Sequence, residues 1–232
     1  MKHLYLLLIF ILLFSCGNER VLQLPEIENA KITEIRDVSH AYLFYDETKE
    51  DSVEINRKNL IITTNWLVNV DKRLTLAQAI PKIKFLQDKK RNAELHKNED
   101  AKNYFTCNDT SIKNLGFLEF TDVYYVDEID SYNLDNSLKD NVKTIIVHFY
   151  SIDKIIIDDN FKNESEIKLI NTISALGAKL DELKNENGNI EICLMFNPKL
   201  TFQDYITVKS QILKLESEDF AIDKNEIVID YD

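Results

Sequence analysis

The chain has 232 residues, with 40 acidic and 28 basic side chains and a formal charge of −12. That balance excludes a phosphate-backbone binder, which needs clustered Lys and Arg, and a peripheral grip on anionic lipid. Four glycines and three prolines speak against a long flexible linker, and the length suits one large domain or two small ones with an ample core.

The first element is an apolar run, Leu4 to Phe14, behind Lys2 and His3. Its 11 residues fall short of the roughly 20 that cross a bilayer, but they match the core of a secretory signal. The run ends in Leu13-Phe14-Ser15-Cys16, which resembles the bacterial lipobox: Leu, any residue, a small residue, then Cys. The resemblance implies cleavage between Ser15 and Cys16 and lipidation of Cys16. Losing Lys2 would take the charge from −12 to −13. One acyl chain holds only marginally, at about 0.8 kcal/mol per buried methylene, whereas several hold essentially for good. The competing expectation is an ordinary secreted chain or a short core helix. Gly17 after the cysteine carries no acidic signal, which leans the expected location toward the outer membrane, facing periplasm or exterior.

Residues 16–38 read as a lipidated tether and 39–136 as an N-terminal α/β region. Strands are expected at 41–45, 52–55, 60–64 and 66–70, runs rich in β-branched and aromatic residues between charged turns. A helix is expected at 75–90, where Thr75 and Gln78 have capping-box spacing and Ala79, Ile83 and Leu86 recur at helical period. Residues 91–105 are charged and read as helix end and loop, followed by strands at 115–120 and 123–126. The acidic stretch 127–141 is the expected boundary.

A second module is expected over 142–231. It would hold a hairpin at 144–150 and 155–158 and a helix at 165–184, capped by Ser165, with Ile167, Ile170, Ile173, Leu176, Leu180 and Leu183 on one stripe. Gly188 would stop that helix. A buried strand at 190–196, a helix at 201–216 capped by Thr201 and Asp204, and a strand at 226–230 complete the order β-β-α-β-α-β. Strands joined through helices should be parallel with right-handed crossovers, placing both helices on one face. The fold class is therefore α+β or α/β, a mixed sheet with helices on one face.

This layout resembles the periplasmic domain of the ExbD/TolR biopolymer-transport family. The residues carrying the resemblance are 195–215, "MFNPKLTFQDYITVKSQILKL", the closing "NEIVID", and "LQLPEI" at 22–27. It covers about ninety residues and implies a shape and a binding habit. Family members use an aspartate in a spanning helix for proton-driven work. The apolar run here is too short and has no Asp or Glu, so no functional residue transfers.

Two strand-turn-helix pieces also resemble each other: 70–80 and 196–206, at an offset of 126, share Leu74/Leu200, Thr75/Thr201 and Ile80/Ile206. Either one module has been duplicated, or any strand entering a capped helix asks for these residue types.

Chemistry is sparse. There is no Gly-rich phosphate loop, nucleophile elbow, H-E-x-x-H or C-x-x-C, so no catalytic residue, metal site or cofactor is assigned. His40, His96 and His148 are scattered, and the acidic run Asp127, Glu128, Asp130 and Asp135 lacks calcium-loop spacing. Cys107 and Cys193 could pair in an oxidising compartment, although the apolar run around Cys193 favours a buried thiol. Trp66, Tyr124 and Tyr125 are the candidate binding surface; strand core is the alternative. The expected function is a non-catalytic envelope lipoprotein binding a partner protein or peptidoglycan, with self-association and without nucleic acid. The alternatives are a hydrolase using carboxylates or a carrier or sensor of a small ligand.

Overall fold

The computed structural model describes residues 21–95, 98–127, 143–158, 167–187, 189–215 and 220–230. These form two six-stranded mixed sheets and three helices, an α+β fold of two modules.

The first sheet contains β1 (Glu26–Ile27), β2 (Val38–Tyr45), β3 (Val53–Asn56), β4 (Asn65–Val70), β5 (Asn103–Asp109) and β6 (Asn114–Glu119). β2 pairs antiparallel with β3 and parallel with β4; β4 pairs parallel with β5 through α1 (Leu76–Arg91). β6 closes one edge of β5, and β1 pairs parallel with Asn108 and Asp109 of β5. The second sheet runs β10-β9-β8-β11-β12-β7. Its strands are β7 (Tyr124–Val126), β8 (Lys143–Ser151), β9 (Lys154–Asp158), β10 (Ile167–Ile170), β11 (Ile190–Phe196) and β12 (Phe220–Val228). Helices α2 (Ile173–Asn187) and α3 (Phe202–Ile212) precede and follow β11. As expected, β8, β11 and β12 are mutually parallel.

Both helices cover one face. Leu176, Leu180, Leu183, Phe202 and Ile206 share a core with Ile145, Val147, Phe149, Ile192 and Leu194, while the alternating residues Ile146, Cys193, Met195 and Ile227 form a separate cluster on the other side. The main core is continuous with Val68, Val70, Ile83 and Phe105 of the first module. β7 lies in the region expected to be N-terminal, yet it is a strand of the second sheet, so the sequence boundary at 127–141 does not divide the sheets cleanly.

Several expected elements are corrected. Residues 60–64 are not a strand. β3 and β4 flank β2 on opposite sides, so the chain must cross between them, and this run turns. Thr64 N–H donates to Ile61 O at 3.3 Å, and the Trp66 indole N–H donates to the same carbonyl at 2.7 Å. Residues 103–109, read as loop in their first part, are the central strand β5. Polar residues at its ends conceal it, because Asn103 and Asp109 are buried as hydrogen-bond partners. Ile167 and Ile170 belong to β10 and not to a helix. The helix starts after Thr172, whose hydroxyl accepts from Ala175 N–H at 3.2 Å. Ser165 and Gly188 lie outside the described residues. β12 begins at Phe220, earlier than expected.

Part of the expected tether is folded. Ile27 is buried, and Ile32, Ile35 and Val38 cover Leu67, Tyr104 and Phe117. Asp109 fastens the segment: its carboxylate accepts from Ala30 N–H at 2.6 Å and from Ser111, and these bonds lower its pKa to about 2. Gly116 makes room for it, since a Cβ there would stand 2.5 Å from Ala30 Cβ and 3.0 Å from Ile27 Cδ1. Gly116→Ala is therefore expected to cost about 1–3 kcal/mol by overpacking, measured as a lower urea midpoint. An unchanged midpoint would mean that the segment is not seated there.

The two modules share one plan. β3-β2-β4-β5 and β9-β8-β11-β12 have the same order and the same strand directions. The offset-126 pieces pack against each other about a pseudo-two-fold axis at an antiparallel bridge, Thr75 to Thr201. Leu76 N–H donates to Leu200 O at 2.9 Å, and Phe202 N–H donates to Leu74 O at 2.7 Å. Ala77 N–H donates to Pro198 O at 2.9 Å, and Gln203 N–H donates to Lys72 O at 3.2 Å. Each bond maps onto its partner when 126 is added or subtracted. The turns before the helices match too: Asp71 N–H donates to Leu43 O and Asn197 N–H to Phe149 O, both at 2.9 Å.

Candidate functional site

Open α/β sheets usually bind ligands beyond the carboxyl ends of their strands, with helix N-termini as ready anion sites. Here that place is filled. The first backbone N–H groups of α1 and α3, which a helix leaves without internal partners, donate to carbonyls of the sister module. The capping boxes serve the next positions: Thr201 N–H donates to Asp204 Oδ2 at 3.0 Å, and Asp204 N–H donates to Thr201 Oγ1 at 3.1 Å. Mutual capping thus joins the modules and leaves no donors for a phosphate.

The opposite end of α1 is open. A cleft of about 370 Å³ is lined by Lys90, Arg91, Asn98, Glu99, Asn103 and Asp122, with Ile62, Ala101, Thr121 and Tyr124 completing the wall. Lys90 lies on the apolar stripe of α1 and is buried. Its ammonium donates to Thr64 O (3.1 Å), Lys102 O (3.0 Å) and Asn103 Oδ1 (3.0 Å), and it sits 5.1 Å from the Trp66 ring centroid. Three neutral acceptors take its three protons. With no carboxylate among these partners, burial dominates and lowers its pKa from 10.5 to about 8. Arg91 donates from Nη2 to Thr121 O (2.9 Å) and Val123 O (2.7 Å), and its guanidinium stacks 4.0 Å from the Tyr124 ring centroid. Asn103 is buried, with Oδ1 taken by Lys90, while its amide Nδ2 has no partner among the described residues. The second cleft, about 200 Å³, lies between the folded 27–32 segment and the end of α3.

A charged network lies deep in the second module. Glu226 of β12 is fully buried, and Lys209 of α3 nearly so; they form an ion pair. Tyr205 donates to Glu226 Oε2 at 2.7 Å and shares a 3.0 Å hydrogen bond with the Tyr125 hydroxyl. Burial and the Glu226 charge push both tyrosine hydroxyls well above their ordinary pKa. The pseudo-symmetry shows what this network replaces. Register pairs Val68 with Phe105 in the first sheet and Leu194 with Glu226 in the second, so Glu226 occupies the place of Phe105. By the same offset, Tyr205 and Lys209 occupy the places of Ala79 and Ile83. The first module fills these positions with hydrocarbon and the second with a salt bridge.

The aromatic candidates separate. Trp66 is 1% exposed and Tyr125 5%, both as core residues, while Tyr124 is 46% exposed at the cleft. They form no common surface: Trp66 underlies Lys90, and Tyr125 belongs to the buried network. Cys107 and Cys193 are buried and form no disulfide, and burial raises the Cys107 pKa strongly. His148 is a sheet residue whose pKa is lowered by burial. His96, Cys16 and most of the acidic run lie outside the described residues. Asp127, at the start of that run, binds Lys84 at 3.2 Å. Lys90, Lys209 and Glu226 were missed by sequence reasoning. Each is a charge on an otherwise apolar face, and that interruption was the available signal.

The chain matches no protein-family model, no curated protein and no solved structure. What the fold defines is a two-module α+β protein whose usual ligand crevice is closed by its own symmetry and whose polar cleft opens at the other end of α1.

Proposed function

We propose that the protein is a bacterial cell-envelope lipoprotein, anchored through Cys16, whose folded body binds an envelope partner or cell-wall polymer without catalysing a reaction. The observation that carries this reading is Leu13-Phe14-Ser15-Cys16 behind 11 apolar residues. The folded body supports it. Gln23 is already fastened, with Lys72 N–H donating to its carbonyl at 2.7 Å. Seven Cα–Cα steps lead from Cys16 to Gln23 and span at most about 25 Å, so an anchored body would stay close to the bilayer.

The test is Cys16→Ser expressed in a bacterial host. The wild-type chain should partition with membranes and carry lipid mass on an N-terminal peptide beginning at Cys16, and the variant should be released. A variant that still pellets with membranes, or a wild-type chain still starting at Met1 without lipid, would refute the anchor.

A further inference from the structure

We infer that the Lys90–Tyr124 cleft is a binding site for a neutral saccharide. This rests on the envelope reading and names the class of polymer that the body would hold. At about 370 Å³ the cleft falls at the lower end of the roughly 300–1,000 Å³ typical of small-molecule sites. Its lining holds two cations (Lys90, Arg91) and two carboxylates (Glu99, Asp122), with Lys224 paired to Asp122 at 3.1 Å, within a chain of net charge −12. The net negative charge of the whole chain disfavours an anionic ligand.

The unused hydrogen-bonding capacity suits hydroxyl and amide groups. Asn103 is 3% exposed, lines the cleft and keeps an unpaired Nδ2 donor. That amide reaches the cleft's solvent and is open to an acceptor on a ligand. Arg91 uses only Nη2 within the described protein, leaving Nε and Nη1. Asp122 accepts from Lys224 at Oδ2, leaving Oδ1 for a hydroxyl donor. Lys90 contributes no donor, because its three are taken. Tyr124 supplies the apolar element: Arg91 covers one face of its ring, no other ring or cation among the described residues stacks on it, and 46% of the residue is exposed. A partly exposed aromatic ring beside planar amide, guanidinium and carboxylate groups matches a sugar ring, apolar on its face and polar around its rim.

Position argues for a polymer over a lipid headgroup. Gln23 is fastened to Lys72, just before α1, whereas Lys90 and Arg91 end that helix. Sixteen residues at 1.5 Å each put the cleft about 24 Å from the tether, at the far end of the helix from the anchored side.

The experiment is calorimetric titration of the full lipidated chain in detergent micelles with a neutral N-acetylglucosamine trisaccharide and, separately, with inorganic phosphate. The trisaccharide should bind, phosphate should not, and Tyr124→Ala and Asp122→Asn should each weaken binding at least tenfold while the far-ultraviolet circular dichroism stays unchanged. Absent saccharide heat, equal affinity in both variants, or phosphate binding in its place would overturn the inference. Release of shorter sugars would uphold the saccharide and overturn the non-catalytic reading. Failure here with Cys16→Ser still released from membranes would sink the ligand class alone and leave the anchor standing.

Discussion

Lys209→Met should lower the unfolding free energy by about 3–5 kcal/mol, because it leaves Glu226 fully buried without its cation. The double variant Lys209→Met/Glu226→Met should recover most of that loss, since well-packed apolar replacements of buried pairs are often neutral or better. The first module supplies the precedent within the same molecule: Ile83 and Phe105 fill the equivalent positions with hydrocarbon. Urea denaturation of the wild type, both single variants and the double variant forms a thermodynamic cycle. A single-variant loss below about 1 kcal/mol would mean that water reaches the pair. Recovery would show that the fold does not need the charges for stability. Their remaining role would then be specificity, because Tyr125 brings β7 to the network and so selects which strand docks beside β12.

The second large effect is pH-dependent. Burial lowers the Lys90 pKa from 10.5 to about 8, so between these values the unfolded chain holds a proton that the folded chain has lost. Stability rises with pH wherever the unfolded state binds more protons. The Lys90 penalty is therefore in force below pH 8 and is relieved as pH climbs toward 10.5. The stability of the wild type relative to Lys90→Met should increase by about 1–2 kcal/mol between pH 8 and 10, allowing for water in the cleft. At pH 7 the variant gains by removing the buried charge and loses by stranding the acceptors at Thr64, Lys102 and Asn103. The difference between the two slopes is the readout. Parallel stability curves would show that Lys90 is not perturbed by burial.

Local order was legible where local chemistry decides it. Thr75 with Gln78 and Thr201 with Asp204 mark helix starts because an N-cap and its third residue satisfy orphan donors within one turn. The stripe Leu176, Leu180 and Leu183 marks a helix because one face must be dry. Ile167 and Ile170 misled because they extend that spacing backward, while the chain still needed a strand against β9. β5 was missed because Asn103 and Asp109 look like loop residues until Lys90 and the Ala30 amide are placed beside them. The match at offset 126 was visible as similarity, and its consequence was not: two resembling pieces need not touch.

Sequence alone determined the helix starts at Thr75 and Thr201, the similarity at offset 126 and the parallel strands of the second sheet, each legible from residue types within one turn or one strand. Only tertiary structure decided that the halves cap each other's helices at Thr75 and Thr201, that β7 joins the second sheet, and that Trp66 and Tyr125 are core while Tyr124 faces the cleft. The reason is distance along the chain. Lys209 meets Glu226 across 17 residues and Tyr125 meets Tyr205 across 80, and no periodicity in either segment encodes which buried charge or hydroxyl will find the other.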